Sequence, residues 1–327
     1  MKLNRSLIAV LLVMCLLVPT ALSTAQGPVD FVARIDTEDV MTHVRALSVA
    51  IGARPASSEA ETRAAAYIAA ALQDWGYDVA VETFDLTLDG EPVQSRNVIA
   101  TLPGDDQLVI VGAHMDSVTD ATGAGDNASG VAAILAAAEA MAGMDLTHTL
   151  VFVAFGAEEV GLVGSDAYVE ALGDDIGNVI AMINVDSVGV GTNLNVYAGA
   201  EITWPESDDD APTIDGGPTW VRDLSLSLAE DMGLPFTTSP DDSWGGFTGD
   251  WSDHYAFVLA GVPVVYFEAW QWTGAEDPWW GEETAEGDVM HTPGDVYENV
   301  VPEKVEMAAE LIAATAYQVA SGEAVPG

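Results

Sequence analysis

The residues with the clearest capacity for chemistry are histidines and carboxylates that follow short apolar runs. Three such side chains follow three such runs: His114 after 108–111, Glu159 after 150–155 and Asp186 after 179–183. Continuous apolar runs of this length predict buried strands of a largely parallel sheet, whose carboxyl ends meet along one edge. Imidazole and carboxylate groups are ligands that Zn²⁺ binds readily. The pattern therefore predicts that these side chains meet at one edge of a sheet and hold metal.

Two further candidates lie in turns. Asp126 belongs to Gly-Asp-Asn-Ala-Ser-Gly at 125–130, and His291 begins His-Thr-Pro-Gly-Asp at 291–295. Taken alone, the first segment is typical of a turn that caps a helix, and the second of a Pro-Gly turn with a surface histidine. The acidic pair at 158–159 alone would suit a helix start, which the helix dipole favours. Recurrence in this order at predicted sheet edges is what indicates a metal site.

The elements that must position these residues alternate between strands and helices. Strands are predicted at 78–88 and 95–102, joined through an Asp-Gly turn signal, and at the apolar runs 108–111, 150–155, 179–183 and 262–267. Helices are predicted at 36–52, 57–76, 129–143, 164–172, 217–233, 252–260 and 302–320. This alternation predicts an α/β fold with a mixed, mainly parallel central sheet flanked by helices.

The first 25 residues have the pattern of a secretory signal peptide. Lys2 and Arg5 precede an apolar run, and small residues up to Ala25 follow it. The run is shorter than the roughly 20 residues that a membrane-spanning helix needs. We expect cleavage after Ala25 and a secreted protein, or a periplasmic or membrane-anchored one if the signal is retained.

Residues 26–327 are predicted to form a single domain with long acidic loops at about 201–218 and 270–288. A hydrophobic content of 49% argues against a disordered acidic chain and supports a large core. The formal net charge of −43 excludes ordinary nucleic-acid binding, which needs a basic surface, and disfavours stable membrane association after signal cleavage. The one cysteine, Cys15, lies in the predicted signal. A thiol nucleophile and a thiolate metal site are therefore excluded.

Six segments together resemble the co-catalytic di-zinc aminopeptidase family, which includes secreted bacterial leucine aminopeptidases and, as relatives, glutamate carboxypeptidases and glutaminyl cyclases. They are Gly-Ala-His-Met-Asp-Ser at 112–117, Gly-Asp-Asn-Ala-Ser-Gly at 125–130, Gly-Ala-Glu-Glu-Val-Gly-Leu-Val-Gly-Ser at 156–165, Asn-Val-Asp at 184–186, Ser-Asp-His at 252–254 and His-Thr-Pro at 291–293. The resemblance covers roughly residues 36–320 and implies a zinc-exopeptidase-like three-layer sandwich.

The resemblance also implies two Zn²⁺ ions as the cofactors and assigns their ligands. One ion is bound by His114 and Asp186, the other by Glu159 and His291, and Asp126 bridges the two. Three carboxylates and one hydroxide then balance four positive charges. An unusual peptide bond between Asp126 and Asn127 is implied as well, and no other cofactor site is predicted.

Glu158 is predicted to be the general base that takes a proton from the zinc-activated water. Asp116 is predicted to lie behind His114 and to accept its free ring proton, which fixes the orientation of the ring. One position departs from the family, because Met290 stands where well-studied members have a tyrosine that stabilises the oxyanion. Either another donor, for which Tyr266 and Tyr297 are the candidates, supplies this hydrogen bond, or the zinc ions provide most of the stabilisation.

These features predict a zinc metallopeptidase that removes residues from the free amino terminus of peptides. An acidic site favours a protonated amine, whereas a carboxypeptidase or dipeptidase needs Arg or Lys to clamp a carboxylate. The basic residues outside the predicted signal all lie outside the motifs: Arg34, Arg45, Arg54, Arg63, Arg96, Arg222 and Lys304. Arg222 keeps carboxypeptidase action open. A one-zinc glutaminyl cyclase and a non-catalytic relative that lacks the metal site stay open as well.

Overall fold

A computed structural model describes residues 31–200, 217–239, 245–271, 283–285 and 287–324. Within these residues, a nine-stranded sheet has helices packed on both faces. This arrangement confirms the predicted α/β class with a mixed, mainly parallel central sheet. The predicted signal peptide and most of the two predicted loops, at 201–218 and 270–288, lie outside the described residues.

The sheet places four parallel strands at its centre. Its strands are β1 (Asp78–Leu88), β2 (Glu91–Leu102), β3 (Asp105–His114), β4 (His148–Phe155), β5 (Val179–Val185), β6 (Asn193–Ala200), β7 (Phe236–Thr237), β8 (Phe247–Thr248) and β9 (Val264–Trp270). Their order is β1-β2-β4-β3-β5-β9-β6-β7, and β8 also pairs with β6. Strands β4, β3, β5 and β9 run parallel, so their carboxyl ends share one edge. A separate small hairpin consists of β10 (Glu283–Thr284) and β11 (Gly287–Asp288).

Seven helices surround the sheet in the described residues from Thr37 onward. They are α1 (Thr37–Arg45), α2 (Glu59–Asp74), α3 (Gly130–Met141), α4 (Val163–Leu172), α5 (Trp220–Met232), α6 (His254–Leu259) and α7 (Pro302–Ala320). All seven correspond to predicted helices. None of the described helices combines the length and the apolar character that crossing a membrane requires.

Two apolar cores lie on opposite faces of the sheet. On β3, Val109 and Val111 face the core formed with α1, α2, α3, α5 and α7, whereas Ile110 faces the core formed with α4 and α6. Successive strand residues point to opposite faces, so a strand covered on both sides must be apolar at every position. This is why the central strands are visible in the sequence as continuous apolar runs.

The differences between the structure and the prediction include the end of one helix and one strand of the sheet. The predicted helix at 36–52 is α-helical only to Arg45 and continues as π-type turns over Ala46–Ile51. Strand β6 was not predicted. Its sequence, Asn-Leu-Asn-Val-Tyr-Ala-Gly-Ala, contains two asparagines and a glycine, which are residues depleted in strands. Pairing with β9 over six residues, Asn193 to Ala198, holds it in the sheet.

Candidate metal centre

The sheet brings the ends of three strands together. His114 is the last residue of β3, Glu158 and Glu159 follow β4, and Asp186 directly follows β5. Because β3 lies between β4 and β5, the predicted convergence of these side chains at one edge is observed. The irregular segment Ala124–Ser129 and the turn after β11 bring Asp126 and His291 to the same place.

One group of side chains forms around His114. Its Nε2 lies 3.1 Å from Oδ1 of Asp126 and 3.2 Å from Oδ1 of Asp186. The other oxygen of Asp186, Oδ2, accepts a hydrogen bond of 2.7 Å from the hydroxyl of Ser252. All four residues are buried. An imidazole nitrogen and two carboxylate oxygens therefore face one another among buried side chains.

A second group forms around His291. Its Nε2 lies 3.0 Å from Oδ2 of Asp126 and 3.1 Å from Oε2 of Glu159. The other oxygen of Glu159, Oε1, accepts a hydrogen bond of 3.1 Å from the backbone amide of Val118. Asp126 therefore belongs to both groups, with one carboxylate oxygen directed at each histidine.

Glu158 lies beside both groups. Its Oε2 is 3.9 Å from Nε2 of His114, and its side chain is buried. Burial raises the pKa of Glu158 well above its ordinary value, although the nearby His114 opposes this, and the carboxylates of Asp186 and Asp253 raise it further. A buried carboxyl with a raised pKa next to a candidate metal site is suited to accepting and holding a proton.

Asp116 makes contacts that differ from those expected of it. Its Oδ1 is 3.6 Å from Nδ1 of His114, too far for a strong hydrogen bond. Its two oxygens instead accept hydrogen bonds from the backbone amides of Glu158, at 3.1 Å, and Glu159, at 3.3 Å. The carboxylate of Asp116 therefore holds the loop that follows β4 and only approaches the histidine ring.

The electrostatics of the cluster fit two divalent cations. Hydrogen bonds to Asp126 and Glu159 raise the pKa of His291 to about 11. Burial alone would lower the pKa of His114, but the carboxylates of Asp186 and Glu158 outweigh it and raise that pKa well above 6.5. The carboxylates thus stabilise a positive charge next to each histidine. The donor atoms are imidazole nitrogens and carboxylate oxygens, which are ligands that Zn²⁺ binds. The residues present therefore fit two zinc ions.

The backbone around Asp126 is also as the resemblance implied. The peptide bond between Asp126 and Asn127 is cis. The side chain of Asn127 accepts hydrogen bonds from the backbone amides of Gly130 and Ser187 and donates one to the carbonyl of Val185. The segment that carries Asp126 is therefore attached to the end of β5, where Asp186 follows.

A family model described as peptidase family M28 matches residues 97–316, which include all five candidate metal ligands. The chain belongs to peptidase family M28. Aminopeptidase YwaD of Bacillus subtilis (strain 168) is 30% identical over 223 residues, which are 67% of this chain and 42% of that protein. Leupeptin-inactivating enzyme 1 of Streptomyces exfoliatus is 29% identical over 325 residues, which are 94% of this chain and 66% of that protein. The chain thus spans less than two thirds of the length of either relative.

Solved structures of other proteins share this architecture. An aminopeptidase from Aneurinibacillus sp. strain AM-1 superposes with a TM-score of 0.69 at 21% identity, covering 89% of this chain and 95% of that one. A zinc aminopeptidase from Bacillus subtilis, BSAP, gives 0.70 at 20% identity, with 88% and 96% covered. A glutaminyl cyclase from Porphyromonas gingivalis gives 0.67 at 19% identity, with 88% and 98% covered. The fold is therefore shared with two aminopeptidases and a glutaminyl cyclase, so the fold alone does not distinguish these activities.

The two tyrosines considered as substitutes for a tyrosine at Met290 both have other contacts. The hydroxyl of Tyr266 donates to Oε1 of Glu268 at 3.0 Å, and the ring of Tyr297 lies under the guanidinium of Arg45. Glu268 was not predicted as a site residue. It is buried in β9, and burial, followed by the charge of Asp186, raises its pKa to about 8. A single glutamate within an apolar strand is the signal that would have identified it.

Proposed function

We propose that this M28 chain is a di-zinc aminopeptidase that hydrolyses the first peptide bond of substrates with a free amino terminus. The observation that carries the proposal is the shared position of Asp126, whose two oxygens face two histidines that each have a further carboxylate of their own. His114, Asp126 and Asp186 would hold one zinc ion, and Asp126, Glu159 and His291 the other. Bound zinc supplies Lewis-acid chemistry that polarises a carbonyl and acidifies water.

Glu158 is the group of this chain that moves protons. Its carboxylate takes a proton from the attacking water and delivers it to the departing amine, so that it is ionised again at the end of the cycle. Its burial supports this role, because a low-polarity environment stabilises the protonated carboxyl between the two transfers. Asp116 supports it from behind by holding the backbone amide of Glu158.

The contacts of two arginines, Arg222 and Arg54, favour an aminopeptidase over a carboxypeptidase. The guanidinium of Arg222 donates to the carboxylate of Asp223 and to the carbonyl of Gly246. Arg54 donates from its side chain to five backbone carbonyls and is fully buried. These two guanidinium groups already form hydrogen bonds within the protein and are therefore not positioned to bind a substrate carboxylate through two parallel hydrogen bonds. The buried carboxylates of the site favour a cationic amino end instead.

A panel of aminoacyl-anilides with free and with acetylated amino groups tests this proposal. We expect acetylation to lower kcat/KM by about 30-fold or more, since losing one partner of a buried charge pair costs about 2 kcal/mol or more. Amidation of the carboxyl end of a short peptide is the matched control and is expected to have little effect. Equal cleavage of free and acetylated substrates, or sensitivity to amidation, would contradict the proposal.

Zinc binding is expected to release protons from the metal-free protein. The pKa of His291, raised to about 11, means that its imidazole carries a proton near pH 7.5, and the pKa of His114 is shifted in the same direction, whereas zinc binds only the neutral ring. Two zinc equivalents should therefore displace about two protons from the imidazoles, and the apparent affinity should rise with pH. Calorimetry in buffers of different ionisation enthalpy measures this number.

The variant His291→Ala is the control for proton release and should lower the number by about one. An unchanged number would show that His291 is not a ligand. The same titration distinguishes a glutaminyl cyclase, for which one zinc ion per chain together with formation of pyroglutamate is expected.

We also propose that the enzyme acts outside the cytoplasm. The support is the charged start, the apolar run and the small residues up to Ala25, which have the order of a cleavable secretory signal. Sequencing the amino end of the exported protein tests this, and Gln26 is expected as its first residue.

A further inference from the structure

The loop that carries Asp126 is held by two side chains that belong to neither metal-ligand group. Residues 122–126 are part of the connection between β3, which ends at His114, and α3, which begins at Gly130. The carbonyls of Thr122 and Gly123 accept hydrogen bonds from Arg54, and the amides of Gly125 and Asp126 donate hydrogen bonds to Asp295. Two buried side chains of opposite charge therefore form hydrogen bonds with the backbone carbonyls and amides of this loop.

Arg54 connects the loop to the end of β3. Its side chain donates to the carbonyls of Thr122 at 2.7 Å, Gly123 at 2.9 Å and Met115 at 2.8 Å, and Met115 is the residue after His114. Gly123 has a φ of +62°, and a Cβ there would be 2.7 Å from Nη2 of Arg54. The guanidinium therefore packs directly against this backbone, which only glycine permits.

Asp295 connects the same loop to the turn that carries His291. Its Oδ1 accepts the amide of Gly125 at 2.6 Å, and its Oδ2 accepts the amide of Asp126 at 3.2 Å. Its backbone carbonyl accepts the hydroxyl of Thr122 at 2.7 Å. Asp295 follows His291 by four residues, so one short turn supplies both a candidate ligand and a support for another.

The contacts of Asp116 repeat this arrangement on the other side of the site. Asp116 follows His114 by two residues and accepts the amides of Glu158 and Glu159. In both cases, a carboxylate shortly after a histidine accepts two consecutive amides of the loop that carries a carboxylate ligand. The same pattern of contacts at both loops is expected if these carboxylates position the metal ligands. It is not needed if they only stabilise the fold.

We propose that Arg54 and Asp295 form a clamp that positions Asp126 between the two zinc ions, an inference that rests on the proposed di-zinc site. The oxygens of Asp126 must face Nε2 of His114 and Nε2 of His291 together, at 3.1 and 3.0 Å in the structure. The clamp fixes the backbone of Asp126 relative to both histidines. Arg54 and Asp295 are positioning residues, since neither touches the reacting atoms. Arg54 precedes the residues 97–316 that the family model matches.

The test compares Asp295→Asn and Arg54→Lys with the wild type. An asparagine keeps the shape of Asp295 but accepts at one oxygen only and presents its NH₂ group to one of the two amides. A lysine keeps the charge of Arg54 but has three donors and no planar fork. In each variant, we expect the affinity for the less tightly bound of the two zinc ions to be about 10- to 100-fold lower than in the wild type, which is the usual effect of losing a residue that orients a metal ligand. The matched controls Asp105→Asn and Arg222→Lys should bind zinc as the wild type does.

Two further readouts separate positioning from general stability. The visible absorption spectrum of the cobalt-substituted protein should change in both variants and remain unchanged in both controls. In the metal-free Asp295→Asn variant, hydrogen exchange should become faster at the amides of 125–126 and remain unchanged in β4. A lower melting temperature with unchanged zinc affinity, cobalt spectrum and loop exchange would overturn the clamp.

Failure of the clamp and failure of the proposed function give different results. If the wild type does not bind two zinc ions, the proposed function is wrong, and hydrogen exchange at 125–126 still decides whether Asp295 holds the loop. If the wild type binds two ions and both variants bind them equally well, the clamp is wrong and the proposed function stands. If one variant fails to fold, the other decides the question with the same measurements.

Discussion

Glu158→Gln is expected to lower kcat by about 100-fold or more, in line with the contribution of a general base, while two zinc ions stay bound. The amide has the same shape as the carboxylate but takes no proton. Glu158 lies 3.9 Å from His114 and, with His114 and Glu159, forms a third group that is close enough to hold a metal ion. The two groups that share Asp126 each have three donors without Glu158, so its charge is not needed to complete either of them. The loss should therefore appear in turnover, with zinc content measured on the same sample.

The adjacent Glu159 provides a matched control for this experiment. Glu159→Gln makes the same chemical change one residue along the chain, but Oε2 of Glu159 lies 3.1 Å from His291 within the second group. We expect this variant to lose zinc affinity, and excess zinc to restore part of its activity. Near-normal turnover of a fully loaded Glu158→Gln protein would reject Glu158 as the base. Loss of zinc from the Glu158→Gln protein would show that Glu158 is a metal ligand, in place of the general base that we propose.

Asp126→Asn is expected to weaken the binding of both zinc ions and to abolish activity at ordinary zinc concentrations. One side-chain oxygen becomes an NH₂ group, which donates hydrogen bonds and does not bind metal, and the negative charge shared by the two groups is lost. The loss should exceed the roughly 100-fold that removal of an outer-shell partner costs. Zinc content after dialysis and titration calorimetry measure it.

The comparison that makes the Asp126 experiment specific is Asp186→Asn. Asp186 faces only His114, at 3.2 Å, so its variant should bind one zinc ion normally and the other weakly. Two weakened ions in Asp126→Asn and one in Asp186→Asn would together identify the bridging residue. An Asp126→Asn protein that retains two tightly bound ions would contradict the shared site.

The sequence revealed the central strands and their connecting helices because burial on both faces leaves a local trace. Strands β4 and β5 are apolar at nearly every position, and α3 is almost entirely buried, so neither can be taken for a surface element. Strand β6 left no such trace, since Asn193 and Asn195 interrupt it. Its place in the sheet depends on pairing with β9, whose partner residues are 67 (Ala198 with Val265) to 77 (Asn193 with Trp270) positions later in the chain.

The candidate site divides in the same way. His114, Glu159 and Asp186 were visible because each follows a recognisable strand, and the parallel order of the strands is enough to bring them together. Arg54 was classed only as a basic residue outside the motifs, and Asp295 as the end of a turn. Each makes its contacts with a loop dozens of residues away, and no local pattern encodes such a contact.

The amino-acid sequence by itself determined the α/β class and the set of metal-competent side chains, because these follow from residue type and short-range periodicity. The family was indicated by the resemblance of six segments to known members. Only the tertiary structure decided which carboxylate faces which histidine, and that Asp116 holds the amides of Glu158 and Glu159 in preference to the ring of His114. Such choices depend on differences of a few tenths of an ångström in the distances between segments that are far apart in the chain. Those distances are set by how the whole sheet and its helices pack.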